Sequence, residues 1–263
     1  MFKWLSRKKT GLASYQKLIR STYKPYIEIK TRTNNSLPPW QSKFAGIPYM
    51  PNGFSWPQTS QNKDLHLLAQ INFKEIPELL PFPQKGLLQF WLAEDDLYGL
   101  NFDDQTKQDS FRVIYFPEIQ KTDLQTNFDD KNVWSDISPF ASDTPSYELT
   151  FKKKEMPVGI FDFQAQTLLS DLLDDLPEDL EEEYMKTYND NGHRIGGYAY
   201  FTQSDPRDYQ TNHDNKKVLL LQIDSDGNND IMWGDMGVAN FFINEEKLKN
   251  LDFSDILYNW DCC

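Results

Sequence analysis

The stretch VLLLQIDSDGNNDIMWGDMGVANFFIN, Val218 to Asn244, decides how the rest of the chain is read. It opens on a short apolar run, breaks at an Asp/Gly/Asn turn and closes on Phe241-Phe242-Ile243. Apolar runs this short, bounded by turn residues, read as buried strands. Just upstream lies HRIGGYAYFTQSDPR, His193 to Arg207, in which a basic residue leads into a double glycine.

The same order of pieces occurs earlier. Lys43–Met50 matches Arg194–Phe201 at an offset of 151, Leu67–Asn72 matches Leu219–Asp224 at 152, and Gly86–Leu92 matches Gly237–Ile243 at 151. Gly46, Tyr49, Leu67, Leu68, Gln70, Ile71, Gly86 and Phe90 recur unchanged. A near-constant offset across three blocks predicts an internal duplication. Each copy has one glutamine in an apolar strand, Gln70 or Gln222. Burying an amide without partners costs roughly 1–3 kcal/mol, so both are expected to be held structurally and in the same way.

Working outward, Leu12, Tyr15, Leu18 and Ile19 fall at helical spacing and predict a short helix ending before Pro25. Tyr26–Lys30 alternates as a strand does, and the Gly- and Pro-rich passage from Pro38 to Pro57 is expected to be irregular. Leu65–Phe73, Gly86–Ala93 and Phe111–Phe116 read as strands; residues 122–145 are polar and carry no period. Tyr147, Leu149 and Phe151 alternate ahead of Lys152-Lys153-Lys154, the pattern of an edge or hairpin strand.

From Asp162 to Asn189 the period changes. Leu168, Leu169, Leu172, Leu173 and Leu176 form a helical stripe, and Pro177 opens a second helix with Leu180, Tyr184 and Tyr188 inward. Residues 171–183 hold eight acids and no base, which makes either a solvated face or a docking surface for a basic partner. The expected fold is α+β and mainly β. Two duplicated strand-rich halves, about 26–116 and 190–263, share one domain spanning 1–263, with an acidic helical segment inserted at 161–189.

Composition bounds the function. Of the 263 residues 39% are hydrophobic and 14% aromatic, enough for a packed core and favouring strands. A net charge of −13 argues against nucleic acid, which rewards a basic face, and is compatible with a basic protein partner. The two cysteines, Cys262 and Cys263, are adjacent and cannot staple the fold, which points to a reducing compartment. Phe2, Trp4 and Leu5 stand beside Arg7, Lys8 and Lys9 without the apolar run of a secretory signal. With no apolar run near the ~20 residues of a membrane span, a cytoplasmic, soluble protein without a transmembrane segment is expected.

The blocks SKFAGIPYMP, LLAQINF, GLLQFW, HRIGGYAYFTQSDPR, LLLQIDSD and WGDMGVANFFI, with the terminal LDFSDILYNWDCC, resemble the YwqG-like family of bacterial proteins of unknown function. The resemblance runs from about Tyr26 to the C-terminus. It implies a bacterial, cytoplasmic, mainly β protein and carries no reaction with it. Ala45 stands where the family often has a second glycine, as Gly196-Gly197 does here.

Signatures of hydrolases, phosphate loops and dinucleotide sites are absent, and no cofactor is expected. The histidines are few: His66 among strand residues, His193 after Gly192 in a turn, His213 in a polar loop. Asp224, Asp226 and Asp230 could wrap a hard cation, yet Gly227 sits too early for a helix-loop-helix calcium site and a strand precedes the loop. The loop therefore reads as a connection between strands that binds no metal. Asp235 is expected to pair with Arg194 or Arg207 at the seam between the halves, with Trp233 as a flat wall for a ligand. The expected function is a non-enzymatic binding or interaction module, such as an immunity protein facing a basic toxin. The alternative is an enzyme or small-ligand binder using a cleft near Arg194, Arg207, Trp233 and Asp235.

Overall fold

The computed structural model describes residues 11–34, 36–128, 138–140, 146–173, 178–188, 190–209 and 215–263. Phe2, Trp4, Leu5, Leu176, Pro177 and His213 lie outside them. A tight turn at Leu12–Tyr15 runs into helix α1, Gln16–Ser21. The strands among the described residues are β1 Lys24–Thr33, β2 Lys43–Phe44, β3 His66–Asn72, β4 Leu87–Leu92, β5 Phe111–Phe116, β6 Tyr147–Met156, β7 Arg194–Gly196, β8 Val218–Asp224, β9 Val238–Ile243 and β10 Ile256–Asp261. Helices α2 Ala165–Leu168, α3 Ser170–Leu173 and α4 Glu178–Thr187 fall between β6 and β7; α5 Pro206–Tyr209 and α6 Glu245–Lys249 follow.

The strands form one antiparallel sheet in the order β10-β9-β8-β7-β1-β6-β2-β3-β4-β5. It curls until its ends nearly meet. The Phe111 ring of β5 lies 5.3 Å from Tyr258 of β10, and the Tyr258 amide donates to the Gln105 carbonyl. The fold is mainly β, as the sequence predicts.

Side chains alternate across the sheet, and both faces are buried in β4 and β9. Leu88, Phe90 and Leu92 face the central core with Ala239, Phe241 and Ile243, and the Phe90 and Phe241 rings are 4.9 Å apart. Leu87, Trp91 and Phe242 point the other way, into smaller clusters. The stripe of Leu168, Leu169, Leu172 and Leu173 packs with Leu12 and Ile19 against Met156 and Tyr198, so the N-terminal helix and the 165–187 helices share one cluster.

β1 and β6, ten residues each, are antiparallel over their whole length. β1 pairs on its other side with β7, and β6 with β2. The expectation of an edge strand at β6 needs correcting. Tyr147 and Glu148 pair with β2, so β6 is internal, while the part bearing Lys152, Lys153 and Lys154 pairs only with β1. Long-range pairing, invisible to the local pattern, sets its place.

The stretches around β2–β4 and β7–β9 have several hydrogen bonds in common. Lys43 faces Gln70 and Arg194 faces Gln222. The register slips at Leu67/Ala69 against β4 and again at Leu219/Leu221 against β9. Gln70 accepts from the Tyr49 amide and donates to the Pro39 and Gln41 carbonyls. Gln222 accepts from the Tyr200 amide and donates to the Asp190 and Gly192 carbonyls. Gln89 donates to the Tyr49 carbonyl, and Asn240 to that of Tyr200. The turn after β2 and β7 needs two left-handed residues: Gly196 and Gly197 have φ of 72° and 71°, and Ala45 and Gly46 have 51° and 74°. Ala45 therefore holds, as an alanine, a backbone position that glycine would take without strain.

Candidate functional site

Where β1 meets β7 and β8, a polar cleft of about 450 Å³ opens. β1 contributes Tyr26, Glu28 and Lys30, the approach to β7 contributes Asn191, His193 and Arg194, and the turn after β8 contributes Asp224, Asp226 and Asn229.

Arg194 is buried, 2% exposed. Its guanidinium donates to the Asp190, Asn191 and Tyr198 carbonyls and lies over the Tyr26 ring. Its Nε has no partner among the described residues. Lys43 occupies the matching place in the first half and donates to the Pro38 and Ile47 carbonyls. Burial pushes the Lys43 ammonium down to about 8. Arginine at the second position keeps its charge where a lysine is partly neutralised.

His193 is held from both sides. Its Nδ1 accepts from the Asp224 amide, so the proton of the neutral ring sits on Nε2, which faces the Asp226 carboxylate at 3.9 Å. Phe44 packs edge-on against the ring. Asp226 also accepts from the Asn228 amide and the Asn229 side chain. Together with His193 these bonds hold its carboxyl well below the usual range, so Asp226 is an anion at neutral pH. Burial pushes the Asp224 carboxyl up, against the Gly192 amide bonded to it. Glu28 at the rim meets Lys154 at 2.6 Å and Lys30 at 3.8 Å.

The sequence candidates do not converge. Among the described residues neither Arg194 nor Arg207 bonds to Asp235. Arg207 instead bonds to Asp205 and Asp162, at 2.6 and 3.0 Å, all three side chains being essentially inaccessible. Its guanidinium also lies 3.9 Å above the Phe242 ring, so this is an internal clamp. Trp233 is fully buried against Tyr98 and Trp260 and presents no wall to a ligand. Asp235 is exposed on the turn beyond it. Of the expected site residues, Arg194 alone lines the cleft, joined there by Asp224 and Asp226 from the loop considered for a metal; Asp230 lies outside the lining.

The loop from Asp224 to Asp230 joins β8 to the approach of β9. Asp226 and Ile231 exchange backbone hydrogen bonds within it, the Gly192 amide donates to Asp224 and the Tyr147 hydroxyl donates to the Asn229 carbonyl. Among the described residues no three His, Cys, Asp or Glu side chains gather as metal ligands would. Nor is any described helix long and apolar enough to cross a membrane.

Glu28 and His193 were missed as cleft residues. Glu28 reads as an ordinary polar residue of an alternating strand, and His193 as a turn residue. The signal for His193 lay in the repeat: Ser42 holds the matching place, its Oγ accepting from the Asn72 amide as His193 Nδ1 does from Asp224. An aligned position that changes from Ser to His within a shared frame marks where the halves differ in chemistry.

Fold and cleft together define a mainly β protein with a polar, carboxylate-lined hollow where β1 meets β7 and the turn after β8. Residues 42–262 match the model of a domain of unknown function (DUF1963), and the chain belongs to that family. No curated protein matches the chain.

Proposed function

We propose that the protein is a non-enzymatic binding module whose cleft receives a cationic, donor-rich group. The observation that carries this reading is the ionised Asp226 carboxylate in the wall of a polar cavity it shares with Glu28 and Asp224. His193, the residue best suited to move protons, has both ring nitrogens committed, one to a backbone amide and one toward a carboxylate. This favours binding over catalysis. An arginine or lysine side chain of a basic partner suits the cleft, and the net charge of −13 would draw such a partner in. An immunity-like role against a basic toxin, in a bacterial cytoplasm and within a YwqG-like branch of the family, is the biological form of this proposal.

The proposal includes a duplication within a single domain. Glu28 faces Arg194 as Glu148 faces Lys43, so these matching acids stand 120 positions apart while the basic residues stand 151 apart. The acidic segment with α2–α4 lies in that difference, as an insertion would. Glu148, facing Lys43, is tied to Arg32, Asn34 and Gln41.

Calorimetric titration with an oligo-arginine peptide and its citrulline counterpart tests the reading, since citrulline keeps the shape and removes the charge. The arginine peptide is expected to bind, with weakening in salt, and the citrulline peptide to fail. The double variant Glu28→Gln, Asp226→Asn should lower affinity by roughly tenfold or more. Equal binding of the two peptides, or undiminished affinity in the double variant, overturns the proposal.

A further inference from the structure

The chain holds two Asn-Gly pairs, Asn52-Gly53 and Asn191-Gly192, and both asparagines are exposed. An asparagine in this setting can lose its amide to its own backbone. The nitrogen of the next residue attacks the side-chain carbonyl, and a glycine there brings no side chain to hinder the approach. Unaided, the step is slow, because a peptide nitrogen must first give up its proton. A base placed on that proton, or a cation placed on the charge left in the peptide group, speeds it.

At Asn191-Gly192 both aids are bonded to one peptide group. The Gly192 amide donates to Asp224 Oδ2 at 2.6 Å, and the Asn191 carbonyl, part of the same peptide bond, accepts from Arg194 Nη2 at 2.7 Å. Asp224 and Arg194 are 6% and 2% exposed, so carboxylate and guanidinium act on that peptide with little screening by water. Burial also pushes the Asp224 carboxyl up, which makes it a better base. A Cβ built on Gly192 would meet nothing within 4 Å, so no neighbouring atom crowds the glycine. Asn52-Gly53 lacks both aids. Among the described residues no carboxylate accepts from the Gly53 amide and no cation donates to the Asn52 carbonyl; the Asn52 side chain is tied to Asp123 instead. In the first half, Trp40 and Gln41 hold the places that match Asn191 and Gly192, and this pair cannot react in the same way.

We propose that Asn191 is a site of autocatalytic deamidation, with Asp224 as the base and Arg194 as the cation that steadies the peptide anion. Asp224 takes the Gly192 amide proton, the freed nitrogen bonds to Asn191 Cγ, and a succinimide ring closes as the Cγ–Nδ2 bond breaks. Asp224 returns its proton to the departing nitrogen, which leaves as ammonia. Water then opens the ring at either carbonyl and gives aspartate or isoaspartate; no electron is transferred. Either product adds a carboxylate at a position that lines the cleft, beside Glu28, Asp224 and Asp226. The reaction stands whether or not the cleft takes a cation; where it does, the added charge tightens that hold.

The test is incubation of the full chain in heavy-oxygen water at neutral pH, folded and in urea, followed by mass spectrometry of its proteolytic peptides. Each converted asparagine gains the mass of an amide-to-acid exchange together with one heavy oxygen. In the folded chain Asn191 is expected to react roughly tenfold faster than Asn52, or more. In urea, where the aids are gone, the two should react at similar rates. Asp224→Asn should slow Asn191 by roughly tenfold and leave Asn52 unchanged. Should that variant fail to fold, the folded and urea rates of the parent decide the matter alone. A folded parent in which Asn191 reacts no faster than Asn52, or no faster than in urea, overturns the proposal. So does a folded Asp224→Asn protein that converts Asn191 at the parent's rate.

Discussion

In the first half Trp56 covers the outer face of β4, its ring edge-on to Trp91 at 5.2 Å. In the second half, 151 positions on, Arg207 covers β9, its guanidinium 3.9 Å above Phe242. The strands beneath are paired in the same register, and the glutamines beside them bond to matching backbone groups. One cap is aromatic and the other ionic. The ionic cap has to bring its counter-charges with it: Asp205 from its own loop and Asp162 from the segment leading into α2. A frame fixed by backbone hydrogen bonds leaves the chemistry of its covering free to change, provided a buried charge arrives with partners.

The sharpest way to break this comparison is Arg207→Met. It leaves Asp162 and Asp205 buried without their cation and should cost roughly 3–5 kcal/mol, whereas Trp56→Leu, at a half-buried site, should cost about 1–3 kcal/mol. Urea unfolding measures both. An Arg207→Met protein as stable as the parent would show that the ionic cap is not what holds the second half together.

The next effect is the equality of Gln70→Ala and Gln222→Ala. Each removes an amide that satisfies one backbone N–H and two carbonyls, and each should cost roughly 1–3 kcal/mol, the two agreeing within about 1 kcal/mol. Markedly unequal losses would mean that the two frames look alike without being equally stressed.

The smallest effect is confined to acid. Burial pushes the Asp190 carboxyl up to about 6, against the opposing pull of Arg194, while Pro39 fills the matching position in the first half and does not titrate. A carboxyl raised from 3.8 holds its proton more tightly in the folded chain than in the unfolded one. Its stabilising contribution is therefore complete below about pH 4 and lost as pH rises through about 6. Asp190→Asn should flatten the dependence of melting temperature on pH across that window and leave the protein no less stable at neutral pH. An unchanged slope would place the titration on another group.

Much of the frame was legible because burial on both faces writes itself as short apolar runs: β3, β4, β5, β8 and β9 fall within the predicted stretches. β2 and β7 were hidden, being two and three residues long amid glycine and proline, and they are strands because distant strands pair with them on both sides, β6 and β3 for β2, β1 and β8 for β7. The β1–β6 pairing joins residues more than a hundred positions apart and leaves no local trace. At the cleft, Arg194 could be picked out because a basic residue leading into a glycine turn is unusual. Its assignment to Asp235 failed because position within a repeat says nothing about burial: Asp235 ended in water, and the Arg194 side chain turned back onto the carbonyls of its own loop.

The two long strands carry one more consequence. β1 belongs by sequence to the first half yet pairs with β7 of the second, and β6, which leads into the second half, pairs with β2 of the first. Each half thus completes the other's sheet. If the chain were cut in the loop between β5 and β6, neither piece could satisfy the edges of its own strands. Under the proposed duplication, a polypeptide of one half-length would find those partners in a second copy of itself, related by a two-fold axis near the Lys30–Thr150 pair. Under that same proposed duplication, the β1–β6 pairing is the isologous contact of such a dimer held within one molecule.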